Sequence, residues 1–319
     1  MTTPSGENGH RPEAVADRLG RVRGFVFDMD GTLVLGDAGH SRLDPLPGAL
    51  ELLDLLHRRG VRYAVLTNGS NRTPAQYAEV LRGLGFALPD EAMVTPASSA
   101  VEVLRRRGHR RVVVLGGEGV SAPLLDAGLE VVAPHGRPQA DAVLVGWYRD
   151  FTQERLESAC HAVWGGAALY SASQAPFFAT VGGRSIGTSL AITAMIRAVT
   201  GCRVEVVGKP SLHALRTAAG RLGLPLRELA VVGDDPALEV PMAHRGRCLA
   251  VAVGTGLGSD GAYAHLPPQR RPHLSVPGAG ELLDACLAAG TGTPTPPEAA
   301  GWGAPPEAAV PESAAGQVR

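Results

Sequence analysis

The stretch Val22-Arg23-Gly24-Phe25-Val26-Phe27-Asp28-Met29-Asp30-Gly31-Thr32 decides how the rest of the chain is read. Its apolar half, Val22–Phe27, predicts a buried strand. The strand runs straight into two carboxylates two positions apart, with a glycine after them that can turn the chain sharply. In open α/β sheets ligands collect outside the carboxyl ends of the strands. An aspartate at such an end can attack phosphorus and carry an acyl phosphate, and a second one beside it can handle the leaving group's proton. Acidic strand ends are common, so this pair gains its weight from the other strand ends of the chain.

Working outward, short Val/Ile/Leu-rich runs recur at Arg62–Leu66, Arg111–Leu115, Ala142–Val145, Val204–Val207, Leu229–Val232 and Leu249–Val253. Helical patterns lie between them at Gly48–Arg59, Pro74–Leu84, Ser98–Arg107, Gln153–Trp164, Thr188–Val199 and Ser211–Leu222. Leu50, Leu53 and Leu56, and again Leu212 and Leu215, repeat at helical spacing. Alternating strands and helices predict an α/β fold, a Rossmann-like doubly wound parallel sheet covered on both faces.

Three further clusters end predicted strands. Thr67-Asn68-Gly69-Ser70 offers a hydroxyl, an amide and free backbone N–H groups to phosphate oxygens; an ordinary capped turn would look the same. Gly208-Lys209-Pro210-Ser211 places a cation at a strand end, with a proline suited to start a helix; the plain alternative is an exposed lysine. Gly233-Asp234-Asp235, with Glu239 shortly after, offers carboxylates to Mg²⁺, which takes oxygen ligands and keeps several waters. Asp235 also suits a helix N-cap. All four clusters come directly after apolar runs, so one parallel sheet would bring them to a single rim. Carboxylates, a hydroxyl, an amide and a cation together are what phosphoryl transfer needs, since positioning and charge stabilisation dominate that reaction.

The 319 residues allow two domains, and a net charge of -1 excludes a nucleic-acid or polybasic membrane footprint. Arg105-Arg106-Arg107 and Arg110-Arg111 are expected to be the solvated end of a helix and its turn. Cys160, Cys202, Cys248 and Cys286 form no CxxC pair, which predicts buried free thiols rather than a disulfide or zinc framework. The polar amino terminus has no signal-type apolar run, and no stretch is long enough to span a bilayer; a cytoplasmic protein is expected. Polar and Pro/Ala/Gly-rich composition predicts disordered tails at 1–17 and 289–319. Gly254-Thr255-Gly256-Leu257-Gly258 resembles a dinucleotide loop only superficially, because it comes after the last core strand and lacks an acidic ribose partner.

Asp28-Met29-Asp30-Gly31-Thr32, Thr67-Asn68, Lys209 and Gly233-Asp234 together resemble the four motifs of the haloacid dehalogenase superfamily. Leu46-Pro47-Gly48-Ala49, Val114-Leu115-Gly116-Gly117-Glu118-Gly119, Val145-Gly146 and Val207-Gly208-Lys209-Pro210 are similar to its NagD-like, 4-nitrophenylphosphatase-like branch. The resemblance implies a core made of 18–99 and 204–288, with an α/β cap of the C2 type at 100–203. It implies a Mg²⁺-dependent phosphatase of small phosphorylated metabolites, working through an aspartyl-phosphate, and a homodimer. By the same resemblance Asp28 is nucleophile and Mg²⁺ ligand, and Asp30 is acid then base and holds metal through its carbonyl. Thr67, Asn68 and Lys209 bind the phosphoryl group, and Asp234 ligates Mg²⁺. Asp235 and Glu239 stand behind these, and Ser173, Gln174 and Arg184, in the segment Tyr170 to Ser185, are the cap's candidates for substrate choice. Asp30 argues against dehalogenation, whose members lack this second aspartate. The chain departs from the family at Glu239, where aspartate is usual, and at Gly69, where asparagine is common. These departures motivate an alternative, a catalytically weak binding or regulatory protein; a phosphotransferase is the enzymatic alternative.

Overall fold

The computed structural model describes residues 17–36, 43–180, 183–258 and 263–292. Most of the two expected tails therefore lies outside the described residues. The expected end at 288 is too early: Thr291 is buried, its hydroxyl donates to the Leu19 carbonyl at 3.3 Å, and Arg59 donates to its own carbonyl at 2.7 Å. Among the described residues no helix is long and apolar enough to cross a membrane.

The strands in chain order are β1 (Gly24–Asp28), β2 (Val34–Gly36), β3 (Leu43–Pro45), β4 (Arg62–Leu66), β5 (Met93–Val94), β6 (Arg111–Leu115), β7 (Glu130–Val132) and β8 (Ala142–Val145). They continue as β9 (Ala168–Ser171), β10 (Phe177–Thr180), β11 (Gly183–Ile186), β12 (Val204–Val206), β13 (Leu229–Gly233), β14 (Leu249–Val253) and β15 (Leu274–Val276). Two parallel sheets result, one ordered β15-β14-β13-β1-β4-β5 and the other β12-β9-β8-β6-β7.

Both sheets are covered on both faces, which is why their strands are near-continuous apolar runs. Side chains alternate across β1: Phe25 and Phe27 pack with Leu52, Leu53 and Leu56 of the helix Ala49–Arg58, while Val26 faces Leu215 and Leu222 of Leu212–Leu222. In the second sheet Val112 and Val114 meet Ala100 and Leu104 of Pro96–Arg106, and Val113 and Leu115 meet Ile192 and Ile196 of Thr188–Thr200. Helix starts reflect local chemistry: Thr73 and Thr95 each close a capping box with a proline at the first helical position.

One sequence expectation is corrected. The expected boundary between 203 and 204 is wrong by one strand, since Val204–Val206 pairs with β9 in the second sheet. Its three residues are only half-buried, so composition did not separate it from a core strand. In and just beyond the segment Tyr170 to Ser185, β10 and β11 pair antiparallel, from Phe177 with Ile186 to Thr180 with Gly183.

Candidate active site

β1 leads on to β4 on one side while its other neighbour, β13, leads on to β14 on the opposite side, so the carboxyl ends of β1 and β13 form the switch point of the first sheet. Asp28 occupies that end and is buried. Thr32 donates its hydroxyl to Asp28 Oδ2 at 3.2 Å, and the Lys209 ammonium contacts Asp28 Oδ1. Gly31, at φ +84°, carries the turn between them; a Cβ there would lie 2.5 Å from Asp234 Oδ2, so the chain closes onto that carboxylate only with glycine.

Thr67 and Asn68 leave the end of β4, one strand away. The Thr67 hydroxyl donates to Asp30 Oδ2 at 3.3 Å and accepts from Gly69 N at 2.9 Å. Asn68 clasps the lysine turn reciprocally, accepting from Lys209 N at 2.7 Å and donating to the Lys209 carbonyl at 3.1 Å. Its amide also reaches Ser173 Oγ at 3.3 Å. Lys209 itself comes after β12, so the expected single rim is corrected: three clusters leave the first sheet and the lysine leaves the second.

Asp234 at the end of β13 accepts from Leu257 N at 2.7 Å. Glu239 points back at the site, with Oε1 2.8 Å from Lys209 Nζ and Oε2 accepting from Asp235 N at 3.1 Å. Asp235 accepts from Ala237 N at 2.7 Å in a local turn; it is not the helix N-cap its sequence position suits, because the helix Glu239–Gly246 starts after Leu238 and has no side-chain cap. Asp28, Asp234 and Glu239, all buried, each offer an oxygen within 4.8 Å of the others.

The electrostatics arise from this packing. The Lys209 ammonium contacts two buried carboxylates, Asp28 and Glu239, and a third, Asp234, lies beside them. Burial pushes the Asp28 carboxyl above its usual value; Lys209 opposes this without cancelling it, and Asp30 adds to it. Burial, then the charges of Asp28 and Glu239, push Asp234 up to about 9. Burial outweighs the pull of Lys209 and raises Glu239 to about 7. Burial works against the Lys209 charge too, but Asp28 and Glu239 outweigh it and hold the ammonium charged. Three converging carboxylates with surplus negative charge fit a hard, oxygen-seeking divalent cation.

These residues line one cavity of about 410 Å³ that also takes in Leu35, Trp147, Phe177 and Thr188. Ser173 lines it, as expected from sequence. Gln174 does not belong to the wall: its amide donates to Ser171 Oγ at 2.8 Å and Thr193 Oγ1 at 2.9 Å. The Arg184 side chain lies outside the described residues.

Sequence reasoning overlooked Thr32, Thr255 and Leu257. Thr255 donates to the Gly31 carbonyl at 2.6 Å, so the loop discounted as a dinucleotide motif buttresses the aspartate turn instead. The available signal was its place after β14, at the same end of the sheet as Asp234.

Comparison with known proteins agrees with this arrangement. A model described as haloacid dehalogenase-like hydrolase matches residues 25–130, and an HAD-hydrolase-like model matches residues 206–282. Chronophin from Mus musculus is 32% identical over 288 residues, spanning 86% of this chain and 96% of its own. The 4-nitrophenylphosphatase of Thermotoga maritima superposes with a TM-score of 0.75 at 27% identity, over 84% of this chain and 99% of its own. The glycerol phosphate phosphatase of Mycobacterium tuberculosis, solved in complex with magnesium, gives a TM-score of 0.73 at 26% identity, over 85% and 78% of the two chains. Set beside a buried aspartate at a switch point with a lysine against it, these matches show that the chain belongs to the haloacid dehalogenase-like hydrolases, as one of their phosphatases.

Proposed function

We propose that the enzyme hydrolyses a small phosphomonoester with Mg²⁺ bound at Asp28, Asp234 and Glu239, through an aspartyl-phosphate on Asp28. The observation that carries this is the contact between Lys209 and Asp28 inside a cavity that Asp30, Thr67 and Asn68 also line. Bound there, the cation would offset the surplus carboxylate charge and draw charge from the phosphoryl oxygens.

Lys209 opposes the effect of burial on the Asp28 carboxyl and would stabilise charge on the transferring group. An Asp28 carboxylate oxygen bonds to phosphorus as the bond from phosphorus to the ester oxygen breaks. Asp30, held by Thr67, delivers its proton to that departing oxygen. Water then bonds to phosphorus, Asp30 takes back a proton, and the bond from Asp28 to phosphorus breaks. Thr67 and Asn68 supply donors to the phosphoryl oxygens once substrate displaces their present partners.

The two departures from the family are both accommodated by this chain's own packing. Glu239 reaches Lys209 directly. The space a side chain at Gly69 would fill is taken by the Tyr77 hydroxyl, 2.1 Å from a Cβ built there.

The test is phosphate release from 4-nitrophenyl phosphate with and without Mg²⁺, in wild type and Asp28→Asn. Turnover that needs Mg²⁺ and vanishes in the variant is expected. Mg²⁺-independent turnover, or an active Asp28→Asn, would overturn the mechanism.

A further inference from the structure

Lys209 sits in a turn whose two ends are joined to each other away from the cavity. Glu205 lies in β12 before the turn, and His213 lies eight positions later in the helix Leu212–Leu222. His213 Nε2 meets Glu205 Oε1 at 2.7 Å, so the pair closes the loop that carries the lysine. Neither residue lines the active-site cavity. The helix packs on the first sheet, against Val26 and Val231, whereas β12 belongs to the second sheet. The lysine turn is therefore a joint between the two halves of the molecule, and the Glu205–His213 pair spans it.

The pair is anchored in turn by the helix Pro96–Arg106 and its C-cap. Arg107, that C-cap, grips Glu205 with two prongs, Nη2 to Oε1 at 2.8 Å and Nη1 to Oε2 at 2.7 Å. Its Nη1 also donates to the Tyr170 hydroxyl at 2.9 Å. Tyr170 is buried and is the cross-strand partner of Glu205 in β9. Arg106 Nη2 reaches His213 Nδ1 at 3.3 Å. A carboxylate only accepts and a guanidinium only donates, so one tautomer of His213 satisfies both of its bonds, the one with its proton on Nε2. A lone exposed ion pair contributes little, but a two-pronged arginine within a network is the case that does hold groups in place. The His213 side chain is 18% exposed and that of Glu205 30%, so both are partly withdrawn from solvent.

We propose that Glu205 and His213 are positioning residues for the reaction: joined across the turn and held by Arg106 and Arg107, they set where the Lys209 ammonium stands against Asp28. The turn's own bonds fix its shape and its tie to the second sheet, through Ser211 N to the Gly208 carbonyl at 2.8 Å and Gly208 N to the Ala172 carbonyl at 3.1 Å. Asn68 holds its inner side. The Glu205–His213 pair adds the angle at which the helix leaves the strand. Misplacing a reacting group by about 1 Å can lower a rate by roughly 10²-fold, so a brace at this joint acts on turnover without touching substrate. This inference rests on the role given to Lys209 above.

The experiment uses the full chain with 4-nitrophenyl phosphate and Mg²⁺, and counts turnover per Mg²⁺ site found by calorimetry, so that unfolded protein does not enter. His213→Leu removes both bonds and should lower kcat about ten-fold with KM changed less than about threefold. His213→Gln, whose amide can donate to Glu205 and accept from Arg106, should bring kcat back to within about threefold of wild type. Glu205→Leu should lose as much as His213→Leu, and the double variant no more than either alone, since the two act as one unit. In a Lys209→Met background His213→Leu should have no further effect, because no ammonium is left to place. A kcat for His213→Leu within about twofold of wild type overturns the inference. An equal loss in the Lys209→Met background also overturns it, making the pair a prop of the fold. Wild-type turnover in Lys209→Met would sink the reading of Lys209 itself, and this inference with it. Lost turnover in Lys209→Met beside unaffected His213 and Glu205 variants would sink the positioning role alone.

Discussion

The Lys209 ammonium contacts the Asp28 carboxylate across 181 positions of sequence, and the two arrive from different sheets. Asp28 ends the central strand of the first sheet, while Lys209 comes after the edge strand of the second. Asn68 locks the lysine turn in place through two hydrogen bonds to its backbone. The counter-charge of Asp28 is therefore delivered by the part of the fold that also walls the cavity.

Removing that charge should show in stability and in rate. Lys209→Met leaves Asp28 and Glu239 buried without their ammonium, and losing one partner of a buried pair costs about 3–5 kcal/mol. Urea unfolding of the metal-free protein near neutral pH should record a loss of that order. Turnover should fall by roughly 10²–10³, as on removal of a preorganised donor. Lys209→Arg should not restore it, because a planar guanidinium does not replace a compact ammonium at a buried site.

The raised carboxyls predict a pH slope. Without metal, Glu239 titrates at about 7 and Asp234 at about 9, both above their unfolded values. Between the ordinary carboxylate range and those values the folded chain holds more protons than the unfolded one. Stability therefore falls as pH rises through this window. Thermal melts of metal-free protein should show Tm declining from mildly acidic to mildly alkaline pH. Saturating Mg²⁺ should flatten the curve; a flat metal-free curve would show that these acids are not raised.

Glu239 has two separable contacts. Glu239→Gln keeps an oxygen for Asp235 N but exchanges a charged oxygen ligand for a neutral amide, and Mg²⁺ affinity should fall by at least about 10-fold. Glu239→Asp shortens the reach by one methylene and should weaken Mg²⁺ as well, through the lost ion pair with Lys209. Calorimetric titration with Mg²⁺ checks both. Unchanged affinity in Glu239→Gln would remove this residue from the metal site.

Gly69 and Tyr77 should behave as one unit. Gly69→Ala drives a methyl into the Tyr77 hydroxyl, and such overpacking costs about 1–3 kcal/mol. Tyr77→Phe removes that hydroxyl and should recover part of the loss in the double variant. A double-mutant cycle by chemical denaturation measures the coupling; strict additivity would show that the two do not share the space.

Much of this molecule is decided locally. The apolar runs at Arg62–Leu66, Arg111–Leu115, Ala142–Val145 and Leu249–Val253 are strands with those same limits, because continuous apolar segments bounded by polar turns leave a chain little choice. Asp28, Thr67, Asn68, Lys209 and Asp234 were all legible as strand-end groups, since polar residues directly after such runs have to emerge at a sheet edge. Weakly patterned pieces were not legible: β5 has two residues, β7 is half exposed, and the β10–β11 pair was not among the predicted strands. What only the tertiary structure decided is which sheet each strand joins and what each polar group then meets. Strand pairing is non-local, and β12 carries no mark in its own residues that it pairs with β9 rather than with the first sheet. Glu239 against Lys209, Tyr77 filling the space beside Gly69, and Arg106 reaching His213 are products of packing between distant segments, and no spacing along the chain encodes them.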